Sequence, residues 1–208
     1  MNRTERKKSG IKRRPSVCAV VIVLLILAAG PVFAEGPANE VETLLKDKIE
    51  GILSMLGSTD LQEAEKKQRI MKIIEPVIDF SLMAKLTLGK QHWASMSPEQ
   101  RKTFVDLFVE RLKRSYLDKT TLYSGQKVGY GQAIARGGKV SAPMYLYTKD
   151  KKIEVVYKFY PANGNWKVYD VEIDGVSFIK SYRAQFNEIL RNGTVADLFA
   201  ELRKPADS

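Results

Sequence analysis

Few residues in this chain have the means to do chemistry. His92, its one histidine, stands beside Trp93. A catalytic zinc site takes three protein ligands, which one histidine without cysteine or carboxylate partners at ligand spacing does not supply. A packed or surface role is expected for His92, and no metal is expected. Gly129-x-Gly131 lacks the third glycine and the following helix of a dinucleotide fingerprint. There is no glycine-rich phosphate loop and no paired histidine–carboxylate spacing. Asp170 lies in a strand pattern between Tyr169 and Val171, where a structural salt bridge to Arg183 is expected. An enzyme would need an acid or histidine pointing into a cavity with a shifted pKa, and Asp170 and His92 are the candidates. Lys149-Asp150-Lys151-Lys152 forms a small basic patch at an expected hairpin tip. A solvated turn is the first reading there, and contact with anionic lipid or an acidic partner the second.

The charge balance depends on where the folded part begins. Residues 1–34 divide into a basic stretch (Arg3, Arg6, Lys7, Lys8, Lys12, Arg13, Arg14), an apolar run from Val17 to Ala29, and a small-residue exit at Val32-Phe33-Ala34. That order is a secretion signal, with cleavage expected after Ala34. The apolar run reaches only about 20 Å as a helix, short of a hydrocarbon core of roughly 30 Å. Pro15 directly after Arg13-Arg14 favours the general secretory route over twin-arginine export. The whole chain carries a formal charge of +10, but residues 35–208 keep 27 of the 34 bases and 23 of the 24 acids, a charge of +4. This is an ordinary solvated surface, and no nucleic-acid partner is expected. Cys18 lies inside the signal, so the mature chain is expected to have no disulfide and to rely on an apolar core.

The elements that must position any site follow from periodicity. Val41, Leu44, Leu45, Ile49, Ile52, Leu53 and Leu56 recur at helical spacing between Asn39 and Leu56. Gly57-Ser58 ends that helix; Asp60 is expected to cap a second, bearing Leu61, Ile70, Met71, Ile73 and Ile74 and limited by Pro76. A shorter helix from Asp79 to Leu88 is expected to stop at Gly89. Ser97-Pro98-Glu99-Gln100 supplies a cap, a first-turn proline and a capping-box glutamine for a helix through Phe104, Leu107, Phe108, Leu112 and Tyr116, broken at Tyr123-Ser124-Gly125. The period then changes to 2. Four strands are expected near 126–135, 139–149, 151–160 and 165–174, joined by Gly137-Gly138, Lys149-Asp150-Lys151 and Asn163-Gly164, and hence antiparallel. Helical spacing returns in Phe178, Ile179, Tyr182, Phe186, Ile189 and Leu190, with a last helix over 195–203. The expectation is a single α+β domain, residues 35–208, with helices on one face of a curved antiparallel sheet.

Two stretches carry a family resemblance. Leu88-Gly89-Lys90-Gln91-His92-Trp93, followed by Ser97-Pro98-Glu99-Gln100-Arg101 and the Phe104, Phe108, Leu112, Tyr116 stripe, is similar to the helical half of MlaC-type (toluene-tolerance, Ttg2-type) proteins. Gly164-Asn165-Trp166-Lys167-Val168-Tyr169-Asp170-Val171-Glu172-Ile173-Asp174-Gly175-Val176-Ser177, leading into Tyr182-Arg183-Ala184-Gln185-Phe186, is the more specific of the two. The resemblance implies a cone-shaped, nuclear-transport-factor-like sheet with an apolar cavity. It also implies traffic of phospholipid between outer and inner membranes in the periplasm, in a system that maintains outer-membrane lipid asymmetry and organic-solvent resistance. The partners it implies are an outer-membrane lipoprotein–porin complex and an inner-membrane ABC transporter with a lipid-binding ring domain. The protein itself is expected to be a monomer without cofactor, its phospholipid being cargo.

The residue types suit that cargo. Two tails of about 16 carbons each, at roughly 0.8 kcal/mol per exposed methylene, cost roughly 25 kcal/mol in water, so they must be enclosed. Ile153, Val155, Tyr157 and Phe159 offer one sheet face, and Phe80, Met83, Leu86, Phe104 and Phe108 the helices that would close over it. Gly175-Val176-Ser177 marks a small corner between strand and helix. With Val171, Ile173, Val176 and Phe178 beside it, this corner is the expected cavity mouth, the phosphate staying outside in water. The alternatives are a filled core, a plain turn capped by Ser177, a carrier of hopanoids or other lipids, an isomerase or dehydratase of the same cone shape, and a non-lipid adaptor.

Overall fold

The computed structural model describes residues 36–117 and 125–204. The expected secretion signal, Cys18 and the expected break at Tyr123-Ser124 fall outside them. Four helices come first: α1 (Pro37–Gly57), α2 (Glu63–Ile74), α3 (Phe80–Ser95) and α4 (Pro98–Leu112), the last continuing into a π-helical turn, Lys113–Leu117. Strands β1 (Lys127–Tyr130), β2 (Ile134–Arg136), β3 (Lys139–Tyr147), β4 (Lys152–Ala162), β5 (Asn165–Ile173) and β6 (Val176–Ser177) follow, then α5 (Phe178–Asn192) and α6 (Val195–Arg203). This is the expected α+β class, a curved antiparallel sheet in the order β1-β3-β4-β5-β6, with β2 also on β3.

Local chemistry sets most helix ends. Ser97 accepts from the Gln100 amide at 3.2 Å while the Gln100 side chain accepts from the Ser97 amide at 2.9 Å, a complete capping box. Thr194 and Asp197 do the same for α6, and Asp79 accepts from the Leu82 amide at 2.8 Å to start α3. Asp60 does not cap α2. That helix starts three residues later, with Gln62 at its N-cap and no side-chain bond.

Gly89 breaks α3 as expected. Its φ of 74° and ψ of 171° lie in a region essentially reserved for glycine, which leaves carbonyls of the preceding turn without helical donors. Arg183 of α5 meets this need: its Nε donates to the Leu86 carbonyl at 2.9 Å, and an Nη donates to the same oxygen. The expected Asp170–Arg183 pair is therefore corrected. The Arg183 guanidinium is engaged across the helix interface.

The sheet departs from simple alternation at three places. The first expected strand is two, because residues 131–133 leave the ladder: the Gly131 amide donates to the Pro143 carbonyl at 2.9 Å and the Ala133 amide to Glu42 of α1 at 2.5 Å. A bulge at Tyr169 shifts the β4–β5 register, so that Tyr157 faces Val171 while Phe159 faces Val168. Val168 and Val171, three apart, thereby share a face. Finally β6 adds a two-residue pairing on β5, and Val77–Asp79 bridges the same strand at Val168. There the Asp79 amide donates to the Val168 carbonyl at 2.9 Å and the Val168 amide to the Val77 carbonyl at 2.8 Å. The 148–151 connection is a turn tied by Thr148, whose hydroxyl accepts from the Lys151 amide at 3.1 Å, with Lys149, Asp150 and Lys151 exposed.

Two cores result. Met83, Leu88, Phe104, Phe108, Leu112, Ile179, Phe186, Leu198 and Leu202 fill the space among α3, α4, α5 and α6. Phe104 meets Phe186 edge-on with centroids 5.6 Å apart, and Phe108 meets Tyr182 at 5.6 Å in the same manner. The other core joins Val41 and Leu45 of α1 to Val140, Ala142, Phe159 and Val168 of the sheet.

Candidate functional site

An apolar cavity of about 310 Å³ lies between these cores. Its wall is made by Met71 and Ile74 of α2, Ile78 of the edge segment, Phe80 and Met83 of α3, and Leu112 and Lys113 at the end of α4. The sheet contributes Val155, Tyr157, Val171 and Ile173, and Phe178 opens α5. The sheet side follows from the register, since Tyr157↔Val171 and Val155↔Ile173 are cross-strand pairs whose side chains share one face. Phe80, Val155, Tyr157, Val171 and Phe178 are only half-buried although protein surrounds them. The surface they keep is the wall of the cavity. Among the described lining residues, Lys113 alone carries a charge.

Of the residues expected to contact an apolar ligand, Phe80, Met83, Val155, Tyr157, Val171, Ile173 and Phe178 converge on this cavity. The others do not line it, and their expected place is corrected. Phe104 and Phe108 are fully buried in the helical core, Leu86 packs on that core, and Phe159 is fully buried against α1. Ile153 lies one strand repeat beyond Val155 toward the β3–β4 turn and is not part of the wall. Val176 is 62 % exposed on β6, beside rather than inside the opening. Met71, Ile74, Ile78, Leu112 and Lys113 were not singled out. The 71, 74, 78 spacing, an apolar stripe running past Pro76, is the signal that points to three of them.

Neither residue considered for catalysis lines the cavity. Asp170 is buried where β5 meets α5: its carboxylate accepts from the Ser177 hydroxyl at 2.8 Å and the Ile179 amide at 3.1 Å. Lys158 stands 3.5 Å from it and 2.7 Å from Glu172. Ser177 also accepts from the Lys180 amide at 3.2 Å. Asp170 therefore fixes the strand-to-helix corner that places Phe178. His92 is half-buried on the short piece of α3 beyond Gly89.

Burial pushes the Tyr157 phenol up to about 12, with a smaller push from Tyr130. An acid whose folded pKa exceeds its unfolded value of about 10 stabilises the fold fully below pH 10 and ceases to do so as pH rises through 12. Tyr160 is raised to about 12 as well, first by its hydrogen bond to Asp79 and then by desolvation. Alkaline unfolding followed by the fluorescence of Trp93 and Trp166 is expected to set in between pH 10 and 12. Its slope with pH is expected to be shallower in Tyr157→Phe.

Two other concavities have mixed, charged walls. One of about 310 Å³ is bounded by Arg111, Tyr182, Gln185, Glu188 and Glu201, and one of about 260 Å³ by Glu42, Lys46, Tyr130 and Pro143. Among the described residues no three His, Cys, Asp or Glu side chains are grouped to hold a metal. No described helix is long and apolar enough to cross a membrane.

Fold and site together define an α+β domain built around an apolar side cavity. The chain belongs to the MlaC protein family, which it matches over residues 46–204. It is 26 % identical over 188 residues to the toluene tolerance protein ttg2D of Pseudomonas putida, an alignment covering 84 % of each chain. It is 26 % identical over 144 residues to the intermembrane phospholipid transport system binding protein MlaC of Haemophilus influenzae, covering 63 % of this chain and 64 % of that one. A solved structure of a phospholipid-binding protein from Ralstonia solanacearum, in complex with a phospholipid, shares the fold with a TM-score of 0.67. It is 24 % identical, and the match covers 77 % of this chain and 93 % of that one.

Proposed function

We propose that the protein is a periplasmic phospholipid-binding shuttle carrying lipid between outer and inner membranes in an Mla-type system that maintains outer-membrane asymmetry. The observation that carries this reading is the apolar cavity between α2, α3 and the β4–β5 face, in which Lys113 is the single charge among the described lining residues. A wall so largely apolar suits acyl chains. The names of the two relatives and the phospholipid in the Ralstonia structure point the same way. The signal-like order of residues 1–34 supports a periplasmic location, in which the chain would exchange cargo with an outer-membrane lipoprotein–porin complex and an inner-membrane ABC transporter. It acts as a monomer without cofactor or catalysis.

A cavity of about 310 Å³ lies at the lower end of ligand-site volumes, roughly 300–1,000 Å³. Of the helices in its wall, α2 is the least anchored, contributing only Ile70 to the buried residues, and is the wall expected to yield to a bulkier lipid. Extraction of the purified protein with organic solvent, followed by mass spectrometry, is expected to release about one phospholipid per chain. Recovery of a polycyclic lipid instead would move the cargo to the hopanoid class, and recovery of no lipid would favour an adaptor.

A further inference from the structure

Among the described residues that line the cavity, Tyr157 and Lys113 alone have a side-chain N or O atom. The Lys113 ammonium is engaged by Glu110 at 3.4 Å and Glu75 at 3.9 Å. The Tyr157 hydroxyl makes no hydrogen bond to a described residue. Among those residues Arg114 Nε is the one fully enclosed side-chain N or O atom without a partner. The Tyr157 hydroxyl therefore keeps open space beside it, and the space that Tyr157 lines is the cavity. A phenol so placed ordinarily finds an acceptor. Burial pushes its pKa up to about 12, so at neutral pH it holds its proton and is an uncharged donor.

The sheet register sets the depth of this donor. Val155↔Ile173 is the outer pair of the wall, since Ile173 is 43 % exposed. Tyr157↔Val171 is the next pair inward, and Phe159 beyond it is fully buried against α1. Two residues of strand span roughly 7 Å. In a diacyl phospholipid the bonds from phosphorus to the nearer acyl carbonyl carbon span roughly 6 Å when extended. A phosphate in water at the outer pair thus brings an ester carbonyl to the level of Tyr157. We infer that Tyr157 donates a hydrogen bond to an acyl ester carbonyl of the bound lipid and so selects ester-linked over ether-linked phospholipids. The inference deepens the carrier reading above and rests on it. A phosphate at that depth would surrender its hydration to a wall of hydrocarbon. A carbonyl surrenders far less, and it satisfies a donor that a tail methylene would leave unpaired. An ether lipid with the same tails and head group lacks the carbonyl oxygens, and a site that pairs a polar group rejects the analogue without it.

The test incubates the purified chain, stripped of lipid, with vesicles of equimolar diester and diether phosphatidylglycerol of identical chain length. The bound lipids are read by native mass spectrometry. Wild type is expected to carry the diester lipid in at least threefold excess, and Tyr157→Phe to carry the two in a ratio near one. A second measurement loads diester lipid labelled with carbon-13 at its carbonyls and records the isotope-edited infrared band of the bound ester. That band is expected at lower frequency in wild type than in Tyr157→Phe, since accepting a hydrogen bond weakens the carbonyl stretch. A wild-type ratio near one, a preference kept by Tyr157→Phe, or a carbonyl band that the substitution does not move overturns the ester contact and leaves the carrier intact. Wild type that takes neither lipid overturns the carrier reading, and this inference with it.

Discussion

Val171→Trp, alone and combined with Val155→Trp, is expected to reduce co-purifying phospholipid at least tenfold without lowering thermal stability. Both valines are wall residues of the cavity, and both stand on the sheet face that the Tyr157↔Val171 and Val155↔Ile173 pairs direct into it. An indole added to that space displaces the volume that an acyl chain would occupy. Overpacking costs about 1–3 kcal/mol in a filled core. Here the added atoms meet open space and gain contacts with Met71, Ile74 and Phe178, so the melting temperature is expected to hold or rise. Lipid released by solvent extraction, set beside a calorimetric melting curve, reads both quantities on one preparation. Undiminished lipid in the double variant would place the cargo elsewhere.

Phe108→Ala is expected to do the opposite, destabilising the fold by about 3–5 kcal/mol while sparing lipid occupancy in the protein that remains folded. Phe108 is fully buried and packs on Phe104, Phe178, Tyr182 and Phe186. Truncating it leaves a hole in the helical core, behind the wall residue Phe178, in a domain whose whole stability is of the order of 5–15 kcal/mol. Chemical denaturation gives the first quantity, and lipid per folded chain at low temperature gives the second. The contrast with Val171→Trp separates residues that hold the fold from residues that hold the ligand.

That distinction is where the amino-acid sequence stops being legible. Signals confined to a few neighbours read through directly: the Ser97–Gln100 box and the Asn163-Gly164 turn are set within four residues, and the Gly89 break by the backbone freedom of one. Phe104 and Phe108 have the same apolar spacing whether their stripe faces a sheet or other helices. Only the packing of α5 and α6 against α4 decides for the helical core. The bulge in β5 is hidden for a related reason. Strict alternation puts Val168 and Val171 on opposite faces, and the unpaired Tyr169 brings them together, a change that no local pattern announces. Asp170 was paired with Arg183 because both are charged and near in sequence. The structure gives Asp170 to Ser177 and the start of α5, and Arg183 to the carbonyl that Gly89 exposes. Lys113 escaped notice because a lysine ending an apolar helix reads as solvated surface. Its stem on the cavity wall shows only once α2 and the sheet are in place.

The most direct measurement places perdeuterated protein, methyl-protonated at valine, isoleucine and leucine, in complex with a phospholipid carrying protonated tails. It then records nuclear Overhauser contacts between tail methylenes and the protein methyls. The account predicts contacts to Val155, Val171, Ile74 and Ile78, and none to Val140 or Leu198, which are buried in the two packed cores. Tail contacts confined to Val176 and other outer-surface methyls, with the Val155 and Val171 signals unmoved, would contradict it.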